Sequence, residues 1–413
     1  MADSGHENRE DRQVARYWLI VALALSGACL ANAEQPDESA FAVPSGGKDA
    51  FTFPIPALVS KDRRLAFFIG KRLFNTNWQQ LAKDGYAEVR VEGHLGDRES
   101  CASCHVRNGR GDSPRLAPDT FQGADVKLVM SDGKAIRLHT GATVSAAAPR
   151  LSIQYQMVPG NFLDGAPYSI YRPIYATVGS SEILDRGGVV DFRVAPAVYG
   201  VGLLQLSSEL TDGVGCFGWK CSQPSVLSQT AHAFKADIGV ISSKLVQSNF
   251  PWLVTGKAES MDIALMSKYV SMLAVPMQRD YSDSRVAQGK TLFSRAMCDQ
   301  CHVQRSIALN SIELPELSGL SFSAFTDLRL HDMGAGLASG TSPLSHLWRT
   351  PPLWGLGLVQ EVNPSAGFLH DGRAATILEA VLWHSGEASA SHEVFIGFSE
   401  KERNSLLQFL YSL

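Results

Sequence analysis

Little in this sequence points to a membrane or to nucleic acid. Acidic residues outnumber basic ones, 41 to 37, for a net charge of -4, so there is no basic field to attract a polyanion. Beyond the N-terminal region no stretch offers about 20 uninterrupted apolar residues, the length a membrane-spanning helix needs. Low-complexity sequence is absent apart from Gln35 to Lys48, whose Pro, Ser and Gly content reads as an N-terminal arm. Cysteine is scarce as well, with seven in 413 residues. Four of those seven nevertheless fall in one pattern that occurs twice.

The chain reads Cys101-Ala-Ser-Cys104-His105 and again Cys298-Asp-Gln-Cys301-His302. Two cysteines three apart, followed at once by histidine, are the attachment pattern of a c-type haem. The thiols form thioethers to the porphyrin and the histidine binds iron. Two haems are therefore expected, with His105 and His302 as proximal ligands. A structural zinc on four thiolates fits less well, because 194 residues separate the pairs. A thioredoxin-like dithiol needs a single pair and no histidine after it.

Covalent haem attachment goes with export. Arg12 and Arg16 precede the apolar run Trp18 to Leu30, and Ala31-Asn32-Ala33 is an A-x-A type cleavage site. Residues 1–33 read as a signal peptide, and the mature chain as periplasmic with a net charge near -3. Acidic Asp3, Glu7, Glu10 and Asp11 are unusual in such a leader. Cys29 lacks the leucine expected three positions before a lipidated cysteine, so plain cleavage is preferred.

The supporting elements repeat with the motif. Gly70-Lys71-Arg72-Leu73-Phe74 precedes the first copy and Gly289-Lys290-Thr291-Leu292-Phe293 the second, each reading as the end of a helix. Downstream lie Arg193-Val-Ala-Pro196 and Arg349-Thr-Pro-Pro352, each followed by paired glycines that align only if the second copy is one residue shorter. Arg193 and Arg349 are candidates for holding haem propionates through charge-assisted hydrogen bonds. Apolar periodicity predicts closing helices over Ser260 to Pro276 and Lys401 to Leu413. Residues 110–191 instead alternate, with turn signals, and read as a β-rich insertion. The expected architecture is mainly α: two tandem cytochrome c-like domains, 34–280 and 281–413, with the β-containing insertion in the first.

The other axial position decides what each iron can do. For the second haem the candidates are His331, Met333, His370 and His384. For the first they are His139, Met157, Lys220 and His232. Cys216 and Cys221, five apart, are expected to form a small disulfide in an oxidising compartment.

The segment Phe368-Leu-His370-Asp-Gly-Arg373 through His384 resembles the C-terminal haem segment of bacterial di-haem cytochrome c peroxidases. The whole mature chain resembles the di-haem oxidoreductases of peroxidase type, once called thiol oxidoreductases. Phe53-Pro54-Ile-Pro56, Phe217-Gly-Trp-Lys220, Asp237-Ile-Gly239, Leu330-His-Asp-Met-Gly334 and Trp348 to Gly355 carry that resemblance with the haem motifs. It implies that His384 is the sixth ligand of the second haem, with Met333 as runner-up. It also implies a peroxidatic first haem under Phe217 to Gln229, where the acid/base glutamate of the peroxidases is replaced by Ser228. Glu209 is then a candidate for the missing carboxylate, Trp219 for an electron conduit and Lys220 for a further catalytic group. Calcium between the domains, as in the peroxidase relatives, is left open.

The leading expectation is a periplasmic oxidoreductase that reduces hydrogen peroxide with electrons from a small cytochrome or cupredoxin. The alternatives are an electron carrier with two closed irons, and thiol oxidation at the first haem.

Overall fold

A computed structural model of the chain describes residues 38–58, 60–85, 87–89, 99–117, 124–129, 135–137, 150–178, 189–207, 215–243, 258–304, 307–308, 314–340 and 342–413. The expected leader (1–33), His139 and Glu209 lie outside these residues. Among the described residues no helix is long and apolar enough to cross a membrane.

Six helices set the frame: α1 (Lys61–Phe74), α2 (Val226–Ala236) and α3 (Ala258–Ser271) before the second haem motif's own half, then α4 (Ser284–Arg295), α5 (Ile377–Leu382) and α6 (Glu400–Ser412). Their starts follow the sequence locally. Ser60, Ser225, Asp283, Thr376 and Ser399 each accept a backbone N–H with the side chain, which satisfies one of the free donors at a helix N-terminus. The closing helix of the first half ends at Ser271, and Val275–Pro276 pairs instead as a short strand with Ala42–Val43.

The repeat is visible in the packing. α1 lies against α3 and α4 against α6. At the first crossing a Cβ on Gly70 would collide with the Leu265 carbonyl oxygen and the Tyr269 side chain. At the second a Cβ on Gly289 would collide with the Ser405 carbonyl oxygen and the Phe409 side chain. Only glycine lets the two backbones approach that closely. The downstream glycines also superpose. Gly200 (φ 71°) and Gly355 (φ 69°) each open a helical turn in the left-handed conformation, so the one-residue-shorter register is the structural one. Arg193 and Arg349 consequently sit one residue out of step.

The alternating region forms strands β1 (Ala124–Val129), β2 (Ala135–Arg137), β3 (Arg150–Asn161), β4 (Pro167–Val178) and β5 (Val189–Val194). β1 pairs with both β2 and β5, and β3 with β4 in a long antiparallel hairpin. That hairpin belongs to the first half by sequence but packs on the second. Leu163 at its tip donates its N–H to Ile396 O (3.0 Å), Tyr171 N–H to Glu379 Oε1 (3.0 Å), and Asp164 pairs with Arg403 (2.9 Å). Phe162 and Trp219 join the core of the second half, while Leu317, Phe322 and Trp354 join that of the first. The two halves thus share their apolar interiors.

Candidate functional site

One cavity of about 260 Å³ opens between the halves. Cys298, Cys301 and His302 line it together with Met333, Arg349, His370 and His384, and Arg110, Tyr199 and Trp219 reach it from the first half.

The second CxxCH segment follows α4 through Met297, whose positive φ of 59° turns the chain into a short 3₁₀ turn over Cys298–Gln300. His302 Nδ1 lies 2.9 Å from Phe325 O, and His384 Nδ1 lies 2.8 Å from Ala380 O. A carbonyl only accepts, so each Nδ1 carries the proton and each Nε2 presents a lone pair. Burial, reinforced by the neighbouring His384, pushes His302 down to about 4, and burial lowers His384 as well. Two neutral imidazoles with fixed tautomers therefore share one cavity, the donor chemistry that a metal held by two histidines requires.

The rival ligands are placed differently. His331 has both ring nitrogens engaged, Nδ1 with Glu387 (2.7 Å) and Nε2 with Asp327 (2.8 Å). Burial works against its charge, but the two carboxylates outweigh burial and hold its pKa above the ordinary value. His370 stacks flat on Trp348, with ring centroids 3.6 Å apart, and burial pushes it down to about 3. Met333 lines the cavity and remains the runner-up.

The first CxxCH segment forms one short helix over Cys101–Cys104, capped by Ser100. His105 Nδ1 lies 2.7 Å from Pro196 O, so its Nε2 is likewise directed to be the acceptor. The segments that follow the two motifs match closely. Phe217 bridges Gln223 as Phe368 bridges Ala374, and Ser225 and Thr376 cap the next helix. By that register Trp219 stands for His370, Ser228 for Glu379 and Ala233 for His384. His232, next to Ala233, is about 100° further round the helix and exposed. Met157 is 56% exposed on the hairpin. Lys220 donates to Leu344 O (3.0 Å), Ser345 O (2.9 Å) and Leu347 O (2.6 Å), which uses all three of its protons. None of these three is brought to His105.

Ser228 is occupied too. Its hydroxyl and that of Ser225 cap each other's backbone in a capping box. Its counterpart Glu379 is buried and held by both Arg115 Nη1 contacts (2.5 Å) and by the N–H groups of Tyr171 and Ala375 (both 3.0 Å).

Trp219 and His370 meet at one residue of β5. Trp219 Nε1 donates to Val194 O (2.8 Å), and Val194 N–H donates to His370 O (2.8 Å). Lys220 takes the face of Trp348 opposite His370, its Nζ 3.3 Å from the ring centroid, and burial with nearby Arg193 lowers it to about 7. Cys216 and Cys221, flanking Trp219 and Lys220, are joined by a disulfide.

The two expected propionate holders differ. Arg193 is paired with Asp191 through two bonds of 3.0 and 2.6 Å. Arg349 is buried, donates from Nη1 to Cys216 O (3.0 Å), and has no partner at Nε. Such an orphan on a cavity wall fits an anionic group of the occupant. Arg110, which sequence reasoning passed over, is on the same wall. Among the described residues no group of three His, Cys, Asp or Glu forms a further metal site.

Residues 255–413 match the family model described as "Di-haem oxidoreductase, putative peroxidase". No curated protein matches the chain by sequence. A solved structure, "Crystal structure of a MauG-like protein associated with microbial copper homeostasis", is similar at 16% identity over 93% of this chain and 95% of that one. Its TM-score of 0.39 is too low for the likeness to carry weight. The chain is thus similar to the di-haem oxidoreductase family over residues 255–413, fewer than half of its residues.

Proposed function

We propose that the protein is an exported di-haem c-type oxidoreductase with one closed and one open iron. The observation that carries this reading is the exchange of His384 for Ala233 at matched places of the two halves. Cys298, Cys301, His302 and His384 would hold the second haem. Cys101, Cys104 and His105 would hold the first, and the matched residue there, Ala233, offers no ligating atom. Haem iron supplies one-electron chemistry, and an open position admits a small ligand such as peroxide.

The chain's own residues then have distinct tasks. Phe325 O, Ala380 O and Pro196 O fix the tautomers of His302, His384 and His105. Arg349 neutralises a carboxylate in the cavity. Trp219, wedged between Val194 and the second-half core, excludes water at the junction and offers an aromatic path between the halves. Electrons would come from a small cytochrome or cupredoxin outside the cytoplasm, where the Cys216–Cys221 disulfide persists. Ser228 and Glu379 are both committed to structural bonds, so proton delivery to peroxide falls to water or to another group. This commitment favours, as second reading, an electron carrier without peroxide chemistry.

EPR and absorption spectra of the holo-protein, oxidised and half-reduced, test the proposal. One high-spin iron that responds to peroxide is expected. Two low-spin irons indifferent to peroxide would leave the electron carrier.

A further inference from the structure

Arg110 lies five residues after His105, in the first attachment loop, yet its side chain belongs to the other half. Nε donates to Gly367 O (2.9 Å) and Nη2 to Leu369 O, next to His370. Asn363 Nδ2 holds its carbonyl from the same side (3.0 Å). The guanidinium stands 5.4 Å from the Trp219 ring, on the wall of the cavity that contains Cys298, Cys301 and His302.

Arg349 approaches Trp219 from another direction, its N–H donating to Trp219 O (3.1 Å). Arg349 is buried and Arg110 part-buried, and desolvation lowers each to about 10, so both stay charged at neutral pH. Their hydrogen bonds go to backbone carbonyls. Among the described residues neither has a carboxylate bonded to it: Asp371 acts on Arg110 only at range and is itself bonded to Arg373 (2.8 Å). The other arginines of this region are matched, Arg193 with Asp191, Arg115 with Glu379 and Arg373 with Asp371. A buried cation without a counter-ion is costly, by several kcal/mol in general. Two on one cavity wall call for a ligand with two negative groups.

We infer that Arg110 binds a carboxylate of the cavity's occupant, a dicarboxylate that Arg349 holds at its other acid group. On the di-haem reading, on which this rests, that occupant is the second haem, and the two acids are its propionates. The first attachment loop then touches the second cofactor directly. A change of charge on the second iron is felt in the loop that carries His105.

The test is redox titration of the holo-protein carrying Arg110→Gln, with Arg107→Gln as control. Arg107 is three residues away and also reaches across, to Val362 O (2.7 Å), but does not line the cavity. A positive charge favours the reduced form, so its loss lowers the potential. Arg110→Gln is expected to move the second haem's reduction equilibrium about tenfold toward the oxidised form, about 59 mV for one electron. The Arg107→Gln protein should not shift the second wave, and the first haem should shift less than the second in Arg110→Gln. Arg110→Lys, which keeps charge but loses the planar fork, should move the same wave less, and it decides alone if the glutamine variant does not fold. An unmoved second wave, or a shift confined to the first, overturns the assignment. A Cys298→Ser/Cys301→Ser chain, expected to carry only the first haem by pyridine haemochrome assay, identifies the waves. If the parent chain does not carry two haems, or the Cys298→Ser/Cys301→Ser chain loses none, the reading of a second haem attached at Cys298 and Cys301 fails, separately from Arg110.

Discussion

In the second half His384 lies just past the end of helix α5, and its imidazole shares a cavity with His302. In the first half the matching helix α2 carries Ala233 at that place and turns His232 to solvent. The caps, the six-residue bridge before the helix and the glycine crossings are kept in both halves. The frame and the candidate ligand are therefore set by different residues, and on the proposed reading one side chain would change what an iron can do while the packing stays the same.

The strongest way to break this comparison is to exchange the two residues. Ala233→His is expected to close the first iron, remove its high-spin EPR signal and abolish the response to peroxide. His384→Ala should open the second iron and create a new high-spin signal, whereas Met333→Leu should leave the spectrum unchanged. If Met333→Leu rather than His384→Ala opens it, the ligand assignment is wrong.

Next in size is the hairpin's grip. Glu379→Ala leaves the part-buried Arg115 and the N–H groups of Tyr171 and Ala375 without their acceptor, and removal of one member of a buried pair costs about 3–5 kcal/mol. Chemical denaturation should show this loss, and Ser228→Ala at the matched place should cost much less, about 1 kcal/mol for a lost cap.

The glycine crossings sharpen the comparison further. Gly70→Ala and Gly289→Ala meet the same obstacle, a carbonyl oxygen and a β-carbon of the crossing helix. Each should cost about 1–3 kcal/mol in denaturation, and by similar amounts. A large cost at only one would show that the crossings are not equivalent.

The smallest effect concerns a contact found in the second half alone. His331 lies between Asp327 and Glu387, and its folded pKa is raised. Its contribution is present in full below the unfolded pKa near 6.5 and is lost as pH rises through the folded value. The carboxylates are partly exposed, so about 0.5–1 kcal/mol is the expected size. Thermal melts from pH 5.5 to 8.5 should show this acid-side gain in the parent chain and not in His331→Gln.

Much of this was legible because it is local. The CxxCH segments, the helix ends at Phe74 and Phe293 and the strands between 124 and 194 follow from spacing and alternation. What was hidden depends on partners far along the chain. Alternation shows which side of the hairpin is apolar but not that it faces the second half. Lys220 reads as a free amine until Leu344, Ser345 and Leu347 are seen around it, and His331 as a ligand until Glu387 closes on it. Arg110 sits in a Gly-Arg-Gly stretch that reads as loop, and its targets are more than 250 residues away.

The hairpin's reach also bears on how the chain is finished. Tyr168, Ile170 and Phe162 are covered by segments between Glu379 and Arg403, which leave the ribosome more than 200 residues later. Contacts of such separation form slowly. Until the C-terminus arrives, a pair of apolar strands stays uncovered and open to wrong partners. A chain that stops short of α6 would leave Asp164 without Arg403 and the hairpin less covered, and is expected to be more open to proteolysis.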